Sequence, residues 1–300
     1  MARNFSDPSE IYEISTRPGN PWSVIPLTRA ENEVAKSPNW RFRLTPHTHG
    51  AVINETSAIQ FWDISACSGS CEKNAGTTLI IYTFDSDTNT LTVSRPARVY
   101  QRFLKNYPYG SFAALTVQGT TYLYSWDPYS TSDENYDGWQ RDIHVASAPA
   151  SSVEDKTTWR YYNNGTGTWS STEPLPTPRR LSAAILSLDD PPLGNKLDYF
   201  LSGSIFYSAY HDAYLLVYVS TQYLYFRVRY APTPVGPWSQ EGIIIWDPSS
   251  GFGGLDPTFG LASPVFSQTD DGSLGGKSLL LNLGTSPGSG DILTFNLTFV

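Results

Sequence analysis

From position 48 to the C-terminus the chain reads as short apolar or alternating runs separated by turns rich in Gly, Pro, Asn and Asp, without helical periodicity. Such runs predict β-strands. They fall into four groups with one plan: a Gly beside an aromatic residue or His, an apolar strand, a turn, a second apolar strand and a third strand that alternates. The openings are THGAVI (48–53), PYGSFAAL (108–115), LSGSIFYS (201–208) and TFGLASPVF (258–266). The second strands are TTLIIYTF (77–84), TTYLYSWD (120–127), AYLLVYVS (213–220) and KSLLLNLG (277–284). The third are TLTVSRPARV (90–99), DIHVASAPAS (142–151), LYFRVRYAPT (224–233) and ILTFNLTFV (292–300).

The opening glycines, Gly50, Gly110, Gly203 and Gly260, are spaced by 60, 93 and 57 residues. Insertions around 128–140 and 163–195 account for the long interval. Strand triplets at this period predict an all-β, five-bladed β-propeller, in which each small sheet buries its faces against the next. Residues 1–47 are expected to supply an atypical first blade, incomplete or altered, through PWSVIP and NWRFRLTP, and residues 48–300 four recognisable blades of one 300-residue domain. A two-sheet β-sandwich is the alternative. Two third strands end in related tails, APASSVEDKTTW and APTPVGPW. Pro cannot donate to a ladder and ends the strand. Trp159 and Trp238 are then expected to pack back onto the sheet.

Composition agrees with strands: aromatic residues make up 14% and charged residues only 16% of the chain, with 23 Gly and 22 Pro. The net charge is −8 and no Lys/Arg run occurs. That excludes nucleic acid as the expected partner, because phosphate neutralisation needs clustered cations. No apolar run approaches the length of a membrane span. The first residues, MARNFSDPSEIYEIS, are polar throughout and contain no secretory h-region. Cys67 and Cys71 in CSGSC suit a small local disulfide if the chain is secreted, or two free thiols at a loop tip. A metal site would need further soft ligands beside them. The cysteine pair and the Lys-poor, Trp-rich composition favour a secreted protein. Four N-x-S/T sequons, at Asn4, Asn54, Asn164 and Asn296, are about the number chance supplies.

In a propeller the residues just before each innermost strand ring one mouth of the central channel. Those are His47 and His49, Tyr107 and Tyr109, Asp198, and Asp256 with Phe259. Glycoside hydrolysis needs two carboxyl groups, one proton donor and one base or nucleophile. Asp198 and Asp256 are the candidates, each also readable as a turn-forming Asp. His47 and His49 alternate on an extended segment and face one side; they are candidate substrate-hydroxyl contacts or structural residues, and no metal is expected. His144 and His211 fall in a third strand and a turn. Tyr107 and Tyr109 could stack on a sugar ring or pack between blades. In the insertion DENYDGWQRD (133–142), Trp139 could be a sugar platform and Arg141 an anchor, or the loop could be merely solvated. No nucleophile-elbow, phosphate-loop, dinucleotide or zinc-protease pattern is present, and no cofactor is expected.

The stretches YGSFAAL, YLYSWD and VASAPASSVEDKTTWRYYNNGTGTW, followed by YSAYHDAYLLVYVS and YAPTPVGPWS, resemble the fungal branch of the domain of unknown function 4185 family, over roughly residues 48–300. The resemblance implies a five-bladed propeller and a carbohydrate-active one, since some members are glycoside hydrolases of family 183 that cleave D-arabinan. Relatives carry a Gly-Asp-Thr/Ser motif in an N-terminal blade; here the only Gly-Asp is Gly290–Asp291. Three functions follow. The first is a glycoside hydrolase on a furanose-containing polysaccharide. The second is a non-catalytic binder of poly- or oligosaccharide, and the third a protein-interaction scaffold. A monomer is expected in each case.

Overall fold

The computed structural model describes residues 12–15, 22–25, 41–46, 50–68, 70–94, 100–102, 107–126, 142–175, 183–187, 200–220, 226–240, 242–246, 257–263, 277–285 and 292–299. Among them the regular structure is strand, apart from two single 3-10 turns at Ala150–Ser152 and Lys156–Thr158. The protein is all-β, as its pattern predicts.

Five sheets occur among the described residues. The first pairs β1 (Tyr12–Ser15) with β2 (Trp22–Ile25). The second is built from β3 (Arg41–Pro46), β4 (Ala51–Asn54), β5 (Ser57–Ser68), β6 (Ser70–Asp85), β7 (Thr90–Ser94) and β8 (Tyr100–Arg102). Its order is β3-β5-β6-β7, with β4 on β5 and β8 on β6. The third contains β9 (Ala113–Val117), β10 (Thr120–Trp126), β11 (Asp142–Pro149), β12 (Arg160–Asn163) and β13 (Thr168–Ser170) as consecutive neighbours, with β14 (Leu186–Ser187) on β11. The fourth is the meander β15 (Phe200–Ser208), β16 (Ala213–Ser220), β17 (Phe226–Ala231) and β18 (Ile243–Trp246). The fifth is β19 (Pro257–Ser263), β20 (Ser278–Thr285) and β21 (Ile292–Thr298).

Three of the four predicted triplets coincide with a meander of consecutive antiparallel strands: β9-β10-β11, β15-β16-β17 and β19-β20-β21. The first triplet differs. Its opening strand β4 pairs not with the predicted second strand but with β5, a twelve-residue strand the pattern does not predict. The sequence CSGSC therefore lies at the tip of the β5–β6 hairpin. Cys67 belongs to β5 and Cys71 to β6, between the paired positions Ala66↔Lys73 and Ser68↔Ser70. The side chains of both cysteines lie outside the described residues, so their pairing remains an expectation. The PYGSFAAL opening also shifts: strand begins only at Ala113. Tyr107–Gly110 instead form a tight turn, with Tyr109 N–H donating to Tyr107 O at 2.8 Å and Ser111 N–H to Pro108 O at 2.9 Å.

Contacts divide the chain into two compact units. One comprises Met1–Leu123, Ala146–Tyr161 and Ser170–Pro176; the other comprises Tyr124–Val145, Tyr162–Trp169 and Thr177–Val300. In the first, Ile59, Phe61 and Leu79 from β5 and β6 share a core with Tyr109, Trp159 and Tyr161. In the second, Phe206, Leu215, Val217 and Phe226 of the fourth sheet pack with Leu279 and Leu281 of β20. The alternation is clear on β17: Phe226 and Val228 enter that core, while Arg227 and Arg229 lie on the opposite face.

The two proline-containing tails serve one purpose by different routes. After Pro149 the chain forms its two 3-10 turns and returns through Trp159, which is fully buried and donates Nε1–H to Val153 O at 2.9 Å. After Ala231 it turns through Pro232–Pro237 and returns through buried Trp238, and Ser239 N–H donates to Tyr230 O at 2.9 Å. Buried Arg229 adds a clamp here, its guanidinium donating to Ser239 O at 3.0 Å and to Gln240 O. A charged donor thus satisfies two carbonyls of the tail.

Gly110 closes the turn ahead of β9 with φ +88°, and a Cβ there would lie 2.2 Å from the Phe61 ring. Phe61 is a buried core residue and cannot yield freely. Gly110→Ala is expected to cost about 2–4 kcal/mol from backbone strain plus overpacking. Urea unfolding that left the variant within 0.5 kcal/mol of wild type (roughly surface-substitution size) would show that the turn relaxes at no cost.

Candidate functional site

Six of the eight catalytic and binding candidates, His47, His49, Trp139, Arg141, Asp198 and Asp256, lie outside the described residues. Their chain positions relative to the strands are nevertheless fixed. Asp256 directly precedes β19, Asp198 stands two residues before β15, and His47 and His49 stand between β3 and β4.

Tyr107 and Tyr109 are described, and of the two roles the sequence leaves open for them, sugar stacking or packing between blades, burial speaks for packing. Both are buried in the first unit, 0% and 1% exposed. Their ring centroids are 5.9 Å apart, and Tyr109 also meets Tyr161 at 5.2 Å and Trp159 at 6.5 Å. A ring without an exposed face offers no platform for a sugar. Burial, followed by the neighbouring Tyr107, Glu173 and Tyr161, raises the Tyr109 phenol well above its ordinary pKa, so it stays neutral. The physical reason is the tight 107–110 turn, which folds both rings inward rather than along a strand.

A cavity of about 250 Å³ opens in the first unit between the β4–β5 turn and the segment after β11. Ile53, Ile59, Ile81 and Val153 form its apolar wall; Asn54, Ser57, Ser151 and Glu154 supply polar groups. It falls below the roughly 300–1,000 Å³ of ordinary ligand pockets. It can offer hydrogen bonds to hydroxyl groups. Among the described residues Glu154 is the one carboxylate lining it, whereas glycosidic cleavage requires an acid/base pair. The strand pattern gives no signal for this cavity, because it forms where a turn meets a tail distant in sequence.

In the second unit an aromatic group surrounds the β15–β16 turn. Tyr207 and Tyr210 are 38% and 47% exposed. The Tyr207 hydroxyl donates to the Asp212 carboxylate, and that bond is the first cause of its raised pKa. His211 packs edge-on against Tyr210 and Phe299, and desolvation lowers its pKa. The stretch YSAYHDAY carries these side chains apart from Phe299 and is the one sequence signal that could have found them.

His144 lies on β11 and His211 in the β15–β16 turn, as the sequence indicates. His144 is buried, 2% exposed, and desolvation pushes its pKa from 6.5 down to about 3. It is neutral at physiological pH and suits a structural role rather than proton transfer. Among the described residues no three His, Cys, Asp or Glu side chains converge as a metal site, and no helix is long and apolar enough to cross a membrane.

No family model matches the chain, and no curated protein matches it. Solved structures similar to it include an alpha-L-arabinofuranosidase from Clostridium thermocellum, with 11% identity and a TM-score of 0.44 over 82% of this chain and 66% of that one. A family 117 glycoside hydrolase from the marine bacterium Zobellia galactanivorans aligns at 10% identity and TM-score 0.43, over 86% of this chain and 71% of that one. A Trypanosoma rangeli sialidase aligns at 9% identity and TM-score 0.41, over 98% of this chain but 40% of its own length. The chain thus spans less than two thirds of the first and the last of these proteins. All three scores lie below 0.5 and assign no residue a role.

Proposed function

We propose that the chain is a five-bladed, carbohydrate-active β-propeller that hydrolyses a furanose-containing polysaccharide. The observation that carries the architecture is the recurrence of one antiparallel meander: β9-β10-β11, β15-β16-β17 and β19-β20-β21 repeat it, and two of the third strands end in a Pro-terminated tail with a buried Trp. Repeated small sheets of this kind need neighbours to cover their faces, and closing them around an axis supplies those neighbours. The carbohydrate assignment rests on the resemblance carried by the blade motifs, and is an analogy at the level of family.

In this reading β1 and β2 belong to an altered first blade that completes the ring, while β3, from the same 1–47 segment, joins the second sheet by pairing with β5. Asp198 and Asp256, each set before the opening strand of a different sheet, stand at one mouth of the channel and act as acid/base and nucleophile or base. His47 and His49 contact substrate hydroxyls, and Trp139 and Arg141 extend the site from their insertion. The protein is a secreted monomer, of the fungal domain of unknown function 4185 type, with Cys67 and Cys71 joined across the β5–β6 hairpin tip.

Reducing-end release from arabinan and arabinogalactan tests this reading. Asp198→Asn and Asp256→Asn are each expected to lower the rate by about 10²–10⁴-fold, the contribution of a positioned acid or base. Full activity in either variant removes that residue from the mechanism. Binding of a polysaccharide without any cleavage would favour a sugar-binding propeller. The single Gly-Asp pair of the chain, Gly290–Asp291, supports that second reading.

A further inference from the structure

The sequon Asn164-Gly165-Thr166 occupies the turn between β12 and β13. The turn sorts two adjacent asparagines: the side-chain oxygen of Asn163 is buried, whereas Asn164 is exposed. The backbone N–H of Asn164 donates to Ala183 O at 3.4 Å, which ties the turn to the segment beside it. Two residues before the acceptor stands Tyr162. Its ring centroid is 5.0 Å from that of Trp169, at 50°, and Trp169 remains 40% exposed. One hairpin therefore carries an exposed acceptor amide two residues after a tyrosine whose ring pairs with a partly exposed tryptophan.

We propose that Asn164 is an N-glycosylation site whose first N-acetylglucosamine lies on the Tyr162–Trp169 ring pair. The co-reactant is a lipid-pyrophosphate-linked oligosaccharide. The Asn164 amide nitrogen forms the bond to sugar C1, the C1–O bond to the lipid pyrophosphate breaks, and the amide proton passes to base. The C–H face of the attached pyranose then meets the negative face of an aromatic ring. The turn leaves the amide free to react, and the rings give the product a surface that a bare surface asparagine lacks. This inference rests on the reading that the chain is secreted.

A second sequon supplies the comparison. Asn54 sits in the β4–β5 turn, where Thr56 N–H and Thr56 Oγ1–H both donate to its Oδ1, at 3.0 and 3.2 Å. The residue two positions earlier is Val52, 64% exposed, so this site has no ring at that position.

The test uses the full chain expressed in yeast behind a secretion leader, so that passage through the endoplasmic reticulum is imposed and native secretion is not what is measured. Peptide mass spectrometry of the secreted protein is expected to find Asn164 glycosylated in most molecules. A bare Asn164 in folded, secreted protein overturns the proposal. The glycan is then trimmed to one N-acetylglucosamine, and thermal unfolding is compared with Asn164→Gln in backgrounds with and without Trp169→Ala. The sugar should raise Tm by about 2–4 °C in the native background and by nothing once the ring is removed. An equal gain in both backgrounds would overturn the stacking. Asn54→Gln should show no coupling to either ring.

Discussion

Trp159→Ala is expected to destabilise the first unit by about 3–5 kcal/mol, the usual range for truncating a fully buried Trp. Three features place it at the upper end. The indole is 0% exposed and meets Phe61 and Tyr109 edge-on at 6.3 and 6.5 Å. Its N–H donates to Val153 O, so truncation also removes a partner from a carbonyl. The Lys156 ammonium lies 5.4 Å from the ring and is itself held by Glu173 at 3.1 Å, so a cation–π contact is lost as well. Trp238→Ala should cost less. Trp238 is 8% exposed, and its indole N–H has no partner among the described residues. Urea unfolding of the two variants should rank them in that order. The reverse ranking would mean that the two tails are not held by their tryptophans in the way described.

The second large effect is a pH dependence set by His144. Its pKa falls from 6.5 to about 3 because burial penalises the imidazolium. The unfolded chain therefore binds a proton that the folded chain refuses. The stability tied to the neutral imidazole is fully present above pH 6.5 and declines as pH drops, until the folded pKa is reached. Each pH unit in that window changes stability by about 1.4 kcal/mol. Between pH 6.5 and 3.5 the loss amounts to about 4 kcal/mol from this residue. Carboxylates add their own dependence, so the informative quantity is the difference from His144→Gln, which lacks the titrating group. Parallel stability curves for the two proteins would show that His144 is not buried in its neutral form.

Strand positions were legible wherever a turn residue separated two apolar runs. The predicted AYLLVYVS run is β16 residue for residue, and KSLLLNLG is β20 displaced by one. In the first triplet the reading failed at β5. SAIQFWDISACS mixes inward Ile59 and Phe61 with Gln60 and Trp62, which are joined by a hydrogen bond of 2.9 Å, and then runs into polar sequence. Its strand character comes from pairing with β3, β4 and β6, which local pattern does not encode. The fourth strand β18 was missed for a related reason: Ile243 and Ile244 are both exposed, so its apolar residues do not alternate.

The candidate site was legible in chain position and not in direction. Asp198 and Asp256 could be placed before opening strands because strand starts were readable. Tyr107 and Tyr109 stand six and four residues before β9, and both point into the core. Direction is set by the hydrogen bonds of the 107–110 turn and by the close approach of Phe61 to Gly110. Neither is written in the order of polar and apolar residues. The alternation of β17 gives no signal that Arg229 is buried; the carbonyls of the tail and the Tyr218 hydroxyl, which accept from its guanidinium, account for a cation on a covered face.

The most direct test of the central claim is reducing-end release from purified arabinan, arabinogalactan and a non-furanose control polysaccharide, with the folded wild-type chain. The account predicts release from a furanose-containing polymer, lost in Asp198→Asn and Asp256→Asn and absent on the control. No release from any of these polymers, by protein whose unfolding transition is intact, would contradict it, and retention without release would favour a sugar-binding propeller.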